Sequence, residues 1–211
     1  MTAETLVDLE EGAAALGLAL EPREQGQLAN YVALLAKWNK TYNLTAIREP
    51  ARMVTHHLLD SLAVLPHLPA LASLRVLDVG SGGGLPGIPI AIARPGWRVV
   101  MVDPNHKKAA FLTQAGIELE LRNAVAYATR VEELRGEAPF DVVISRAFAD
   151  LATFAATSAR HVAPGGLLVA MKGVHPAEEI AEIGDTFAIE SIALDVPGLS
   201  ASRHLVVLRK P

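Results

Sequence analysis

The stretch Asp78-Val79-Gly80-Ser81-Gly82-Gly83-Gly84-Leu85-Pro86-Gly87 constrains the fold more than any other part of the chain. It follows the β-branched run Arg75–Val79 and leads into the apolar helical run Pro86–Ala93. A strand that turns on glycines directly into a helix is the first half of a strand–helix–strand unit. The glycines allow a sharp turn and let a ligand approach the backbone closely. The helix that follows offers free N–H groups and partial positive charge.

From Arg75 onward, short β-branched runs alternate with helical stretches. Strands are expected at Arg75–Val79, Arg98–Val102, within Leu119–Tyr127, and at Phe140–Ser145, Gly166–Lys172, Ile189–Leu194 and His204–Arg209. Helices are expected near Pro86–Ala93, Lys107–Ala115, Leu151–His161 and Ala177–Ile183. Such alternation implies an α/β fold with a mostly parallel, seven-stranded sheet covered on both faces. Ligands bind such sheets at the carboxyl ends of the strands, near the point where strand order reverses.

The first part of the chain reads differently. Leu6, Leu9, Ala13, Leu16 and Leu20 recur at helical spacing, and so do Leu28, Tyr31, Val32, Leu35 and Trp38. Pro22 and Pro50 suit helix starts, and Met53 to Leu65 suggests a third helix. We therefore expect an N-terminal helical extension over 1–73 and a ligand-binding domain over 74–211, joined in one compact unit.

With 51% hydrophobic residues the chain can bury a proper core. It has no cysteine, which excludes disulfides, thiolate metal sites and a cysteine nucleophile. Met1–Glu11 carries acids rather than a basic leader, and no apolar run reaches the ~18 residues of a membrane span. A cytoplasmic monomer that does not enter membranes is expected. The formal net charge of −4 argues against a coat for nucleic acid, so any RNA contact must be local. Gln25–Leu59 supplies such a region: Lys37, Lys40, Arg48 and Arg52 face one acid, Glu49, with Tyr31, Trp38 and Tyr42 among them.

Two cofactors compete for the glycine loop. Gly82, Gly84 and Gly87 fit the dinucleotide spacing G-x-G-x-x-G. Asp78 argues the other way, because a carboxylate at the strand end repels a pyrophosphate. S-adenosylmethionine has no phosphate and carries an ammonium and a sulfonium, which an acid attracts in a partly desolvated site. The methyl donor is favoured, and an NAD-dependent oxidoreductase remains the alternative. Asp103 ends the next strand and suits a ribose, or else a helix cap for Asn105–Ala115. Val131 and Glu132, after Arg130, offer backbone groups to an adenine.

The chain resembles the RsmG (GidB) family, bacterial 16S ribosomal RNA guanine-N7 methyltransferases. The matching pieces are Lys37-Trp38-Asn39-Lys40-Thr41-Tyr42-Asn43-Leu44-Thr45, His57-Leu58-Leu59-Asp60-Ser61, the glycine loop, Arg130-Val131-Glu132, Ser145-Arg146-Ala147-Phe148-Ala149, Met171-Lys172-Gly173 and Arg203-His204-Leu205-Val206. The glycine loop is generic to methyltransferases; the first piece and Ser145–Ala149 are specific. The resemblance implies a class I (Rossmann-like) methyltransferase fold with an N-terminal helical extension. It implies S-adenosylmethionine as donor, S-adenosylhomocysteine as product, and guanine 527 in the 530 loop of 16S RNA as target. Its cofactor contacts map to Gly80, Leu85, Asp103, Val131, Glu132 and Arg146. Asp78 and Gly82 join that set from the loop itself. Gly83, where relatives often have a larger residue, and Pro104, where Ser is common, depart from the pattern.

Guanine N7 has a free lone pair, so its methylation needs no general base. The work is to expose the base and hold N7 in line with the methyl–sulfur bond. Arg146 is expected to hold the donor carboxylate, the guanine O6 edge or a phosphate from the side rather than transfer protons. Phe148 is either a stacking partner for the base or a core aromatic. Lys107, Arg130, Lys172 and Arg203 are candidate phosphate contacts. Adjacent His56 and His57 point apart on a helix, so no metal site is expected. The partner is 16S RNA, the small subunit or an assembly intermediate. The other alternative is a ribosome-assembly binder without turnover.

Overall fold

The computed structural model describes residues 3–146 and 148–209; Ala147, inside the Ser145–Ala149 segment, lies outside the described residues. Two helices open the chain: α1 (Ala3–Ala15) and α2 (Pro22–Tyr42). Pro22 occupies the first turn of α2, where a missing N–H costs nothing. The Glu24 carboxylate accepts the Glu21 N–H at 2.9 Å, and Asn43 ends the helix in the left-handed conformation (φ 49°).

The expected third helix is not continuous. It starts at Pro50 as α3 (Pro50–Met53), widens into a π-helical stretch at Val54–Leu59, and closes as α4 (Asp60–Leu62) with a 3₁₀ turn at Leu65–His67. The physical reason is the burial spacing. Met53 and Leu58 are both buried, as are Val54 and Leu59, five residues apart in each case. A widened turn brings both pairs to the core side, where an α-helix would rotate one of them away.

The remaining elements alternate: β1 (Arg75–Val79), α5 (Gly87–Ala93), β2 (Arg98–Val102), α6 (His106–Glu118), β3 (Ala124–Tyr127), β4 (Phe140–Arg146), α7 (Leu151–Ser158), β5 (Val162–Lys172), α8 (Ala177–Ile183), β6 (Ala188–Leu194) and β7 (Arg203–Arg209). Within Leu119–Tyr127 only the last four residues form a strand, because α6 runs to Glu118 and Glu120 then turns with φ 55°.

The seven strands form one sheet in the order β3-β2-β1-β4-β5-β7-β6. All pairings are parallel except those of β7, which runs antiparallel to β5 and β6. Order reverses between β1 and β4, which is where such sheets open a ligand crevice. Because β7 is reversed, its first residues reach the same edge as the ends of β4 and β5; His204 pairs with Lys172.

Successive strand residues feed opposite faces. Val76, Val99 and Met101 belong to one core, while Leu77, Val100 and Val102 belong to the other. The first core also contains Leu9, Leu28, Tyr31, Leu35, Leu58 and Leu62 from the N-terminal helices. Those helices and the sheet thus bury a single continuous apolar cluster. Leu71, Ile117 and Val174 are left exposed singly, and Leu6 and Val7 side by side on α1, which is ordinary for a surface. No described helix is long and apolar enough to cross a membrane.

Candidate active site

The glycine loop spans from β1 to α5 and is pinned by its own backbone. Gly80 and Ser81 N–H both donate to the Val102 carbonyl, at 2.9 and 3.1 Å. Gly84 and Leu85 N–H donate to the Ser81 carbonyl, at 2.7 and 3.0 Å. Gly80 and Gly82 take φ of 71° and 58°, a region that side chains rarely adopt. Gly83 is pressed against α2: a Cβ there would lie 3.2 Å from Leu35 Cδ1. The buried Tyr31 hydroxyl donates to the Gly83 carbonyl at 2.5 Å.

Two acids flank the loop. Asp78 is completely buried, and its Oδ2 accepts the Gly87 N–H at 2.9 Å. Its Oδ1 has no partner among the described residues. Burial pushes its pKa up to about 7, against the opposing pull of the Gly87 hydrogen bond. Asp103, 4% exposed, links two loops: Oδ2 accepts the Gly82 N–H at 2.9 Å and Oδ1 accepts the Asn105 N–H at 2.8 Å. Asp103 does not cap α6. The cap of α6 is Asn105, whose Oδ1 accepts from the Lys107 and Lys108 N–H groups. Asp103 sits one step earlier and fixes the approach.

The remaining residues expected at a cofactor surround the same edge. Leu85 is buried beneath the loop. Val131 is buried and Glu132 exposed, in a single 3₁₀ turn (Val131–Glu133) after β3. Their carbonyls are already engaged: Arg160 Nη2 donates to both, and the His161 ring lies 2.8 Å from the Val131 oxygen. The N–H groups at the start of this turn are the ones left for a ligand. Lys107, in the first turn of α6, and Arg130, just before the 3₁₀ turn, stand exposed at the mouth of the neighbouring loops.

On the other side of the switch point lies a cavity of about 440 Å³. Arg146 ends β4 there, Lys172 ends β5, and Arg203 begins β7; Thr45, His57 and Asp60 complete the walls. The sequence places the three bases at this edge but gives no role to Asp60. Its carboxylate, 3% exposed, receives Arg146 Nη1 at 3.2 Å on Oδ2 and Arg203 Nε at 2.8 Å on Oδ1. One buried carboxylate thus orients two arginines and leaves a single net positive charge.

His57 is the second group without a sequence-level role. The Thr45 hydroxyl lies 2.7 Å from His57 Nε2, and His57 Nδ1 lies 2.9 Å from the His56 carbonyl. Thr45 Oγ1 also accepts the Ile47 N–H. Every partner is satisfied when Nδ1 carries the proton and Thr45 donates to Nε2. Burial, with the Arg146 charge adding to it, holds the His57 pKa down to about 4, so the ring is neutral at ordinary pH. Asn39 fixes the same wall, accepting the Thr45 N–H at 2.9 Å and donating to the Ile47 carbonyl at 3.3 Å. Asn39, Thr45, His57 and Asp60 all lie in the segments that carried the family resemblance.

Lys172 does not stand free. Its Nζ donates to both Glu179 oxygens, at 2.7 and 3.0 Å, and its side chain is 12% exposed. Phe148 packs 5.4 Å from the Phe154 ring against the second core, which is the core-aromatic arrangement. Among the described residues no three His, Asp or Glu side chains cluster as a metal site.

Residues 24–206 match the family model GidB, described as rRNA small subunit methyltransferase G. The chain is 53% identical over 210 residues to a ribosomal RNA small subunit methyltransferase G of Nitrosospira multiformis, covering 96% of each. It is 57% identical over 205 residues to a protein of the same name from Burkholderia pseudomallei, covering 94% of this chain and 88% of the relative. Among solved structures, a SAM-dependent methyltransferase of Aquifex aeolicus superposes with a TM-score of 0.58 at 16% identity, over 82% of this chain and 97% of that one. A magnesium protoporphyrin IX methyltransferase of Synechocystis, with bound SAM, gives 0.56 at 18% identity over 85% and 97%. At these identities the structural likeness bears on the fold: a Rossmann-like methyltransferase.

Proposed function

The chain belongs to the GidB family of small-subunit rRNA methyltransferases, and from that premise we propose that it methylates guanine N7 at position 527, in the 530 loop of 16S RNA. The donor in this reading is S-adenosylmethionine and the product S-adenosylhomocysteine. When bound, the donor supplies a methyl group on a sulfonium; the N7–methyl bond forms as the sulfur–methyl bond breaks.

The residues present fit that cofactor. The observation that carries the reading is the unpartnered, buried Oδ1 of Asp78 beside the glycine loop. It suits a cationic ligand and opposes a pyrophosphate. Asp103 keeps free lone pairs for ribose hydroxyls while its backbone bonds hold it still. Gly80 and Gly82 let the ligand lie against the backbone, Leu85 supports the loop from below, and the Val131 and Glu132 amides suit an adenine edge.

Arg146 positions the acceptor from the cavity side. Methylation places positive charge on the purine, which a bare cation on the ring would oppose. Asp60 shares its charge between Arg146 and Arg203, so the pair recognises an O6 edge or a phosphate without that penalty. Lys107 and Arg130 are available to phosphates flanking an extruded base, and Arg203 reaches one while Asp60 holds its Nε. Lys172 reaches one only by sharing or leaving Glu179. Burial holds His57 neutral, Asp60 is engaged by two arginines, and N7 requires no base in this reading.

The protein acts in the cytoplasm, in this reading, as a monomer on 16S RNA, the small subunit or an assembly intermediate. Mass mapping of methylated guanines in 16S RNA, after incubation with protein and donor, tests it. A single new 7-methylguanine in the 530 loop is the expected result. RNA binding without methyl transfer would instead mark an assembly binder.

A further inference from the structure

A second concavity, of about 470 Å³, is formed by α2 and by the segment that leads into α3. Ala33, Ala36, Lys37 and Lys40 line one side of it, at the spacing of one helical face. Arg48, from the segment that leads into α3, and Pro50, which opens α3, complete its lining with Asn39. The lining thus combines two small alanines with three cations. Lys37, Lys40 and Arg48 are all exposed, and none has an ion-pair partner among the described residues. The one acid nearby in sequence, Glu49, is directed at Arg52 at 3.8 Å. An unpaired basic groove on a chain of net charge −4 is a local feature, not an overflow of general basicity.

The groove and the acceptor cavity share a wall. The segment between α2 and α3 turns Thr45 and Ile47 toward the cavity, while Arg48 lines the groove. Asn39 lines the groove, and its side chain grips both Thr45 and Ile47. Thr45 in turn meets His57, whose Nδ1 lies 3.5 Å from Arg146 Nη1. A strand held in the groove would therefore rest against the wall that shapes the acceptor cavity.

We propose that this groove is a second RNA-binding surface, which takes the sugar-phosphate backbone next to the target nucleotide through Lys37, Lys40 and Arg48. The proposal rests on the reading that the substrate is ribosomal RNA. Its charge chemistry is that of phosphate contact, which sets register and affinity without reading sequence.

The test is the triple variant Lys37→Gln, Lys40→Gln, Arg48→Gln, with an unmodified 16S RNA fragment carrying the 530 loop as probe. RNA affinity is measured by anisotropy between about 50 and 200 mM salt, where each lost phosphate contact lowers the salt slope by roughly 0.7–0.9. The expected result is a slope shallower by about 2 to 3. Calorimetric affinity for S-adenosylhomocysteine should be unchanged, and so should the unfolding midpoint. The paired control is Arg23→Gln, Arg122→Gln. Arg23 opens α2, about 20 Å along the helix from Lys37, and the control should leave the slope as in the parent chain. An unchanged slope in the triple variant, or an equal fall in the control, overturns the proposal. So does a loss confined to small-subunit particles, which would mean that an acidic protein surface occupies the groove. If the parent chain binds RNA through this groove yet transfers no methyl group to it, the groove stands and the methyltransferase reading falls.

Discussion

The Tyr31 hydroxyl and the Gly83 carbonyl, 52 residues apart in sequence, meet in a buried hydrogen bond of 2.5 Å. The bond ties the second N-terminal helix to the loop that would hold the cofactor. Burial raises the Tyr31 pKa far above its usual value, so the hydroxyl remains a donor at any physiological pH. The helical extension is thereby part of the loop's support.

Tyr31→Phe should keep the packing and strip the Gly83 carbonyl of its donor. Leaving a buried acceptor unpaired costs about 1–3 kcal/mol. Denaturant unfolding should show that loss, and S-adenosylhomocysteine should bind several-fold more weakly. Unchanged values in both measurements would make the contact incidental.

Asp103→Ala should lower cofactor affinity by about 1.5–3 kcal/mol, the scale of hydrogen bonds to a charged group. Two backbone amides, of Gly82 and Asn105, also lose their acceptor. Asp103→Asn keeps acceptor capacity at one oxygen and should fall between Ala and the parent. Equal calorimetric affinities for the three proteins would rule out a ribose role.

Asp60→Asn leaves Arg146 and Arg203 without their shared carboxylate. Both arginine side chains are over 20% exposed, so water offsets part of the cost. A destabilisation of about 1–3 kcal/mol is expected, below that of a fully buried broken pair. The larger effect should be on single-turnover methyl transfer, with donor binding nearly intact. A loss of donor affinity as large as the loss in rate would place Asp60 in the cofactor site instead.

Much of the fold was legible because its signals are local. β1 and β2 fall on the expected residues, since their β-branched runs end abruptly at acids or glycines. The widened turn at Val54–Leu59 was not, because apolar residues five apart also pass for an imperfect α-helical stripe. The site divides the same way. Asp78, Asp103 and Arg146 announce themselves by standing at strand ends. Asp60 and His57 do not, because their meaning depends on Arg203 and Thr45, and only packing brings these together. Lys172 looked like a free cation for the same reason: nothing in the sequence pairs it with Glu179.

Asp78 should make stability depend on pH. Its folded pKa of about 7 lies above the ordinary aspartate value of 3.8, so the folded state holds the proton more tightly. Its contribution to stability is full below about pH 4 and is lost as pH rises through 7. Asp78→Asn should flatten that part of the stability profile. A cationic ligand favours the carboxylate, so donor binding near pH 6 should release a proton. Calorimetry in buffers of different ionisation heat reads that release, and no buffer dependence would separate Asp78 from the ligand.

The rate of methyl transfer should behave differently from stability. With N7 as nucleophile, the chemical step removes no proton, so no enzyme base has to titrate. His57, whose ring lies 3.5 Å from Arg146 Nη1, has its pKa depressed to about 4 and stays neutral from pH 6.5 to 8.5. Asp78 approaches its own pKa in that range, but saturating donor holds it as the carboxylate. Single-turnover rates at saturating donor and RNA should therefore be flat across about pH 6.5–8.5. Attack by guanine N1 or a ribose hydroxyl would need a base, and the rate would then climb tenfold per pH unit below its pKa. Such a climb, abolished in His57→Gln, would show that the acceptor is not N7. Multiple-turnover rates do not discriminate, because product release carries its own pH dependence.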